Sequence, residues 1–361
     1  MRKGYIDKRQ LAVLVILMIM GSYFLVVPRT MAYYAGSGGW LGVPLGALGG
    51  VIVASLVIPL HRRFPSHDLI GMSEVVLGKW LGKAWSLLFF LYTLSFAAVT
   101  REFSTTLLTP FLSDSPIGPV IVIGMIIMSY LAFSGIESIA RTAQVFLPLI
   151  VISILLILVT SISSGDIGRN QPWLGKGPAS LAMAGLNAGA VFGEIVVFTV
   201  FLSHLRRTND DLAALGWGIF LSLVPLTLIT IGGISLFGHE GVTTLAFPAI
   251  SIARRIKIGI YFERLEALFI ILWFVLSMLK IGLILVASVI TLAGIFELKT
   301  YQPLVLPTAV LSILLSLQFE TDYSVLQFVD KFTTYSLPFA ILIPGLILLV
   351  AIIRGKREVQ Q

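Results

Sequence analysis

The stretch "MIMGSYFLVVP", Met18–Pro28, lies inside the first long apolar run of the chain. Gly21 and Ser22 stand about halfway along that run, where neither residue type helps a helix to hold. Gly weakens a helix by roughly 1 kcal/mol relative to Ala, and Ser can hydrogen-bond to its own backbone instead of continuing the helix. If the run crosses a membrane, this stretch predicts an interrupted membrane helix.

The composition identifies the solvent of this chain as lipid. Of its 361 residues, 57% are hydrophobic and 12% are charged, and the mean hydropathy is +0.98. A soluble domain carries about 25% charged residues. Runs of about 18 or more apolar residues predict membrane-spanning helices, and such runs recur along the whole chain with short gaps. We therefore expect an all-α polytopic membrane protein without a separate soluble domain, and the absence of Cys excludes disulfides and Cys-based metal sites.

Ten membrane spans are predicted. Spans 1 to 10 cover about residues 9–34, 39–60, 82–109, 117–134, 138–162, 180–203, 212–237, 262–297, 303–318 and 333–353. The first run is interpreted as a retained span and not as a signal peptide, because no small-residue cleavage site follows it. The connections on the side of the N-terminus carry about twice as many Lys and Arg residues as the other side, which predicts that both termini are cytoplasmic. The formal charge of +7 is attributed to this asymmetry, so anionic lipid of the bilayer is an expected partner and nucleic acid is not.

Ten spans divide into five plus five. Because each half has an odd number of helices, the second half inserts upside down relative to the first, which predicts an inverted repeat within a single membrane domain, 1–361. The predicted repeats are residues 1–165 and 166–361. In such folds the binding site lies near the midplane, between broken helices at matching positions of the two halves. Here the matching helices are spans 1 and 6.

Span 6 carries "LNAGAVFGEIVVFTVFLSH", Leu186–His204, with Gly193-Glu194 near mid-bilayer. A break at Gly21-Ser22 would free N–H groups that suit a carboxylate, and a break near Phe192-Gly193 would free carbonyls that suit an ammonium group. Together they favour a zwitterion such as an α-amino acid. Close packing is the commoner use of small residues in membrane helices, and it remains the alternative for Gly21-Ser22. It is the preferred interpretation of "GSGGWLGVPLGALGG", residues 36–50.

Two charged residues are predicted at mid-span. Glu194 belongs to span 6, and Lys280 lies sixteen residues after Arg264 and nineteen before Lys299 in span 8. Intramembrane charges usually face a cavity or a partner, so these two either pair to lock span 6 to span 8 or act in binding, proton movement or gating. The chain has four His residues without metal-ligand spacing, so neither a metal site nor a cofactor is expected. No catalytic constellation stands at a common depth, so an enzyme is not expected.

The predicted outer loop before span 8 reads "HEGVTTLAFPAISIARRIKIGIYFERLEALF", residues 239–269. Its Ile residues alternate with Arg254, Arg255 and Lys257, which predicts a short amphipathic helix on the outer surface. This helix could cover the binding site as a lid or serve as a plain connector.

Several motifs, taken in order, resemble the spore germination B-subunit family. They are "MGSYFLVVPRTM" (20–31), "GGWLGV" (38–43), "LGKWLGK" (77–83), "TREF" (100–103), "FGE" (192–194), "PAISI" (248–252) and "FERLEALFIILW" (262–273). This family is the membrane-embedded subunit of bacterial germinant receptors, within the amino acid–polyamine–organocation superfamily. The resemblance runs from end to end of the chain.

The resemblance implies a ten-helix, five-plus-five inverted-repeat fold of the leucine-transporter type, with broken helices 1 and 6, in the inner membrane of the spore. It implies recognition of a small-molecule germinant, expected to be an amino acid, and action with germinant receptor A and C subunits. The implied ligand-binding residues are Gly21, Ser22, Tyr92, Ser95, Phe192, Gly193, Glu194, Ser277, Lys280 and Ile284.

Lys280 leaves two possibilities open. It favours a ligand with an extra acidic or acceptor group, or it is neutralised by Glu194. Two functions also stay open: a sensor that signals ligand binding to its partners, and a proton-coupled amino acid permease with Glu194 or Lys280 as the proton site. A channel is less favoured, because no helix shows a continuous polar face.

Overall fold

The computed structural model describes residues 5–97, 100–101, 104, 116–205, 210–255, 265–319 and 322–358. These residues are almost entirely helical. Their α-helices are α1 (Lys8–Tyr23), α2 (Val27–Ala35), α3 (Gly42–Arg63), α4 (Leu69–Leu77), α5 (Lys79–Leu94), α6 (Ile117–Ser134), α7 (Ile136–Ser163), α8 (Pro178–Gly193), α9 (Asp211–Thr244), α10 (Pro248–Ala253), α11 (Leu265–Ile295), α12 (Val305–Leu317) and α13 (Asp322–Ile353).

Most predicted spans correspond to one of these helices. Seven helical stretches in the described part of the chain are long and apolar enough to cross a membrane. Span 9 corresponds to a shorter apolar stretch, Gln302–Leu317. The later part of span 3 lies largely outside the described residues, so the count of ten stays a prediction. In the described part of span 8, residues Leu265–Ile295 form a single long helix, α11.

Span 1 is interrupted, but not where the sequence predicted. Gly21 and Ser22 have helical backbone within α1, and the interruption comes at residues 24–26, before α2. The physical reason is Pro28, which has no N–H to donate and whose ring clashes with the carbonyl four residues earlier. The prediction of a break at Gly21-Ser22 is therefore wrong by three residues.

Span 6 changes its helix type at the predicted position. The α-helix α8 ends at Gly193, and residues Glu194–Val200 continue as a 3-10 helix. The 3-10 segment is fully within the protein interior, with all seven of its residues buried. In a 3-10 helix each carbonyl accepts a hydrogen bond from the N–H group three residues on. Because α8 passes directly into such a helix, the free carbonyls that were predicted at its end are partly partnered.

Small residues bring α3 and α8 into close contact, as expected for residues 36–50. A Cβ added at Gly42 would lie 2.7 Å from the Ala184 Cβ, and one added at Gly46 would lie 2.3 Å from the Ala188 Cβ. Neither position leaves room for a side chain. The glycines of this stretch therefore serve helix packing.

The N-terminal face is defined here as the end of the bundle that carries Ile6, Arg62 and Glu358. The Ile6 N–H donates to the His204 carbonyl over 3.0 Å, which ties the start of span 1 to the end of span 6. Arg62 donates to the buried Asp211 carboxylate over 2.8 Å and 3.2 Å, joining α3 to α9. These contacts close the bundle at this face.

The opposite face is covered by two connections. Lys176 Nζ donates to the Tyr33 carbonyl over 2.8 Å, and Ser37 Oγ donates to the Pro172 carbonyl over 2.9 Å. Helix α10 is not a surface helix as predicted, because five of its six residues are buried. The Ala249 N–H of α10 lies 3.4 Å from the Leu25 carbonyl, so α10 covers the interruption of span 1. The part of the predicted amphipathic helix beyond residue 255 lies outside the described residues.

Candidate functional site

A buried ion pair joins span 6 to span 8. The Lys280 Nζ of α11 lies 2.7 Å from the Glu194 Oε2, and the two side chains are 1% and 10% exposed. Glu194 is the first residue of the 3-10 segment, so the pair lies at the point where span 6 changes its helix type. Each charge alone would cost several kcal/mol to bury, and the pairing offsets that cost. The predicted mid-span charges therefore come together and neutralise each other.

Span 1 contacts the same lysine through Gly21. A Cβ added at Gly21 would lie 3.0 Å from both the Cβ and the Cδ of Lys280. Gly21 therefore makes room for the lysine stem to cross span 1, which is a packing role and not a helix break. One turn earlier on α11, the Ser277 hydroxyl donates to the Gly21 carbonyl in a short hydrogen bond. Lys280 thus touches span 1 three residues before its interruption and span 6 at its transition.

An aromatic ring faces the ammonium group from the segment that follows α5, and a second ring packs against it. The Lys280 Nζ lies 6.0 Å from the centroid of the Phe96 ring, close enough for a cation–π interaction. The Tyr92 ring packs edge-on against Phe96 at 5.5 Å and is stacked on Phe339 of α13 at 5.3 Å. The Tyr92 hydroxyl lies 3.2 Å from the Ser336 hydroxyl, also on α13. Tyr92 is therefore held rigidly by α13 beside the ion pair.

Three predicted residues make other contacts in the structure. The Ser95 hydroxyl donates to the carbonyl of the exposed Leu91, whereas Phe96, one residue on, lies beside Lys280, so a ligand contact of Ser95 stays a prediction. Phe192 is fully buried against α3, where a Cβ at Gly50 would lie 3.0 Å from its Cβ. Gly193 packs against Leu337 of α13. The Ser22 side chain lies outside the described part of the structure, so its predicted role stays a prediction.

Ile284 lies one turn beyond Lys280 and lines a separate cavity. This cavity has a volume of about 20 Å³ and lies between α5, α6, α11 and α12. A second cavity, of about 10 Å³, is lined by apolar residues around Phe24, at the interruption of span 1. Among the residues described, neither cavity is lined by Lys280 or Glu194. The ion pair itself is enclosed by side chains, so a ligand that reaches it must first separate the helices around it.

Three functional contacts were missed by sequence reasoning. The Tyr23 hydroxyl donates to the Asn187 amide oxygen over 3.2 Å and links α1 directly to α8. Phe96 could have been found, because it lies four residues after Tyr92 and therefore shares its helix face. Ser336 could not, since only the tertiary structure brings α13 beside α5.

A cluster of charges stabilises the N-terminal face. The Glu297 carboxylate lies 2.7 Å from both the Lys79 and the Lys83 ammonium groups. Hydrogen bonds from these two lysines lower the pKa of the Glu297 carboxyl to about 2. The C-terminal segment packs nearby, where Glu358 accepts a hydrogen bond from the Ser66 N–H over 3.0 Å. These contacts tie the ends of α5 and α11 to each other and the C-terminal segment to the loop after α3.

Comparison with solved structures identifies the fold. A transporter of the nucleobase-cation-symport-1 family, MHP1, superposes with a TM-score of 0.76 at 13% identity, over 99% of this chain and 80% of that one. A Na⁺-coupled sialic acid symporter gives 0.71 at 14% identity, over 96% and 79%. MhsT in complex with L-phenylalanine gives 0.61 at 16% identity, over 95% and 89%. The predicted leucine-transporter-type fold is therefore confirmed, with span 1 interrupted and span 6 changing its helix type.

Comparison with curated proteins identifies the family. Spore germination protein KB of Bacillus subtilis (strain 168) is 28% identical over 368 residues, which is 99% of this chain and 97% of that protein. Spore germination protein YndE of the same organism is 27% identical over 274 residues, 74% of this chain and 75% of that protein. The family model described as spore germination protein matches residues 5–324. The resemblance is thereby confirmed, and the chain belongs to the spore germination protein family.

Proposed function

We propose that this chain is the ligand-sensing membrane subunit of a spore germinant receptor, and that it binds a small zwitterionic germinant, an amino acid, where span 1 is interrupted and span 6 changes its helix type. The observation that carries the proposal is the buried Lys280–Glu194 pair, which lies at the transition in span 6 and contacts span 1 at Gly21. Family membership supports the role in germination. The complex of the similarly folded MhsT with L-phenylalanine supports an amino acid as the ligand class.

An amino acid can exchange partners with this ion pair. Its ammonium group can take the place of Lys280 beside Glu194, and its carboxylate can take the place of Glu194 beside Lys280. The N-terminus of α2, which carries the positive end of a helix dipole, offers a further site for the carboxylate. Because Lys280 is already neutralised by Glu194, the ligand needs no extra acidic group to balance the lysine.

Signalling follows from the same contacts. Separation of Lys280 from Glu194 loosens span 8 from span 6, and the start of span 1 is tied to the end of span 6 through Ile6 and His204 at the N-terminal face. A ligand shifts such an equilibrium only by its different affinity for the two arrangements. In this proposal the change passes to the A and C subunits, with the chain in the inner membrane of the spore and both termini cytoplasmic.

A second candidate is a proton-coupled amino acid permease, with Glu194 or Lys280 as the proton site. The observations that favour it are the fold shared with transporters and the closure of both faces of the bundle, since alternating access requires such an intermediate.

Proteoliposomes containing the purified chain alone separate the two candidates. Radiolabelled amino acids are added with and without an imposed pH gradient, and both bound and accumulated label are measured. Saturable binding without accumulation supports the sensor, and accumulation driven by the pH gradient supports the permease. The absence of saturable binding contradicts both.

A further inference from the structure

The cavity between α5, α6, α11 and α12 is lined partly by hydroxyl groups. Its volume of about 20 Å³ is room for one water-sized group. Four hydroxyl-bearing side chains line it, together with apolar residues. They are Thr93 and Thr100 of span 3, Ser288 of α11 and Ser312 of α12. Hydroxyls that line a cavity at this depth in a membrane protein call for a hydrogen-bonding occupant, because hydrocarbon offers none.

Three of the four hydroxyls have already committed their only proton. The Thr93 hydroxyl donates to the Phe90 carbonyl over 2.8 Å, the Ser288 hydroxyl to the Ile284 carbonyl over 2.9 Å, and the Ser312 hydroxyl to the Thr308 carbonyl over 3.0 Å. Each of these carbonyls belongs to the same helix as its donor. A hydroxyl has one proton and two lone pairs, so these three can only accept from an occupant. These three hydroxyls therefore suit a donor and disfavour a carboxylate.

The cavity adjoins the ion pair. Phe96 lines it, and the ring of Phe96 is the one that lies 6.0 Å from the Lys280 Nζ. Two lining residues of α11 are close to Lys280 along the helix: Ile281 is the next residue, and Ile284 lies one turn further on. The Phe96 ring therefore lies between the cavity and the ion pair, and once the helices around the pair separate to admit a ligand, a rotation of this ring would open the cavity to it. A small molecule held by its ammonium and carboxylate groups at the pair could then place one end group among the hydroxyls.

We propose that this cavity is the subsite for the far end of the ligand, and that it selects a hydrogen-bond-donating end group, an amide or a hydroxyl, over a carboxylate. The inference rests on the proposed amino acid site at Lys280 and Glu194. It narrows the ligand class to small amino acids with a neutral polar end group.

The test is equilibrium binding to the full-length chain in lipid nanodiscs, with two pairs of ligands matched in size. Radiolabelled L-asparagine is compared with L-aspartate, and L-serine with L-2-aminobutyrate. The variant Thr93→Val removes one lining hydroxyl at nearly constant volume. Its matched control is Thr291→Val, because Thr291 is also fully buried and donates to its own helix over 2.8 Å but does not line the cavity.

The wild type is expected to bind asparagine and serine more tightly than aspartate and 2-aminobutyrate. In Thr93→Val the affinity for the two donor ligands falls about three- to tenfold, as expected for the loss of one hydrogen bond, while that for 2-aminobutyrate is unchanged. Thr291→Val matches the wild type. Retained thermal stability of both variants shows that they fold.

Three outcomes overturn the inference while leaving the proposed function standing. The first is tighter binding of aspartate than of asparagine, and the second is an equal effect of the two valine variants. The third is that the preference for asparagine and serine disappears when choline replaces Na⁺ and K⁺ in the buffer. That result would mean that a metal cation, and not the end group of the ligand, occupies the cavity. If the wild type binds none of the four amino acids saturably but binds another, the subsite inference also fails; if it binds no amino acid, the proposed function fails with it.

Discussion

Replacement of Lys280 by Met should destabilise the protein strongly, and a second replacement should restore it. The side chains of Lys280 and Glu194 are 1% and 10% exposed, and their charged atoms lie 2.7 Å apart. Lys280→Met leaves the Glu194 charge buried without its partner, which costs about 3–5 kcal/mol. The double variant Lys280→Met/Glu194→Met fills the same volume without charge, so its free energy of unfolding should return to within about 1 kcal/mol of the wild type.

The assay is a double-mutant cycle on the free energy of unfolding, measured by SDS titration in mixed micelles. Adding the two single effects predicts a loss of about 6–10 kcal/mol for the double variant, so the expected recovery is far outside error. The exposed pair Glu137 and Arg141, with 2.5 Å between Oε1 and Nη2, is the control and should show a coupling of about 0.5 kcal/mol or less. A Lys280→Met cost below about 1 kcal/mol, or additive single effects, would refute the buried ion pair.

Two further predictions concern other parts of the same assembly. Gly21→Ala should lower the free energy of unfolding by about 1–3 kcal/mol, because its Cβ would lie 3.0 Å from the Lys280 side chain, whereas Gly216→Ala, with open space around its Cβ, should be neutral or stabilising. The pKa of Glu297, lowered to about 2 by its two lysine partners, makes its contribution to stability complete above pH 4.5 and lost as the pH falls through 2. Glu297→Gln should remove that part of the acid sensitivity, as measured by thermal unfolding between pH 5 and about pH 2, and high salt should weaken it in the wild type.

Each of these predictions has its own contrary result. If Gly21→Ala is no more destabilising than Gly216→Ala, the close crossing of Lys280 over span 1 is wrong. If Glu297→Gln loses stability on acidification as steeply as the wild type does, the lysine cluster does not stabilise the N-terminal face.

The fold and the depth of the two central charges were predictable from the sequence. Long apolar runs indicate membrane spans, because in lipid each span must satisfy the hydrogen bonds of its own backbone. An odd number of spans in each half predicts the inverted repeat. The sequence placed Lys280 and Glu194 at mid-membrane depth and left open whether they pair or act in binding, and the structure brings them together. The sequence predicted a break near Phe192-Gly193, and at that position span 6 changes from an α-helix to a 3-10 helix instead of breaking.

The details that were wrong depend on tertiary contacts and helix phase. Gly21 was interpreted as a helix breaker, but its small size serves a lysine from span 8, which no local pattern can show. Pro28, four residues after Phe24, was the better local signal for the interruption. In span 3, Phe96 beside Lys280 was not predicted, because apolar residues occupy all sides of a membrane helix and its inward face is hard to identify.

The most direct test of the account is the affinity of Glu194→Gln for a radiolabelled neutral amino acid that the wild type binds, measured in nanodiscs. The control is Glu137→Gln, which removes a carboxylate from a largely exposed pair. The account predicts saturable binding by the wild type and by the control, and an affinity at least about tenfold lower for Glu194→Gln, as expected for the loss of a charged hydrogen bond. Equal affinity of Glu194→Gln and the wild type would contradict it.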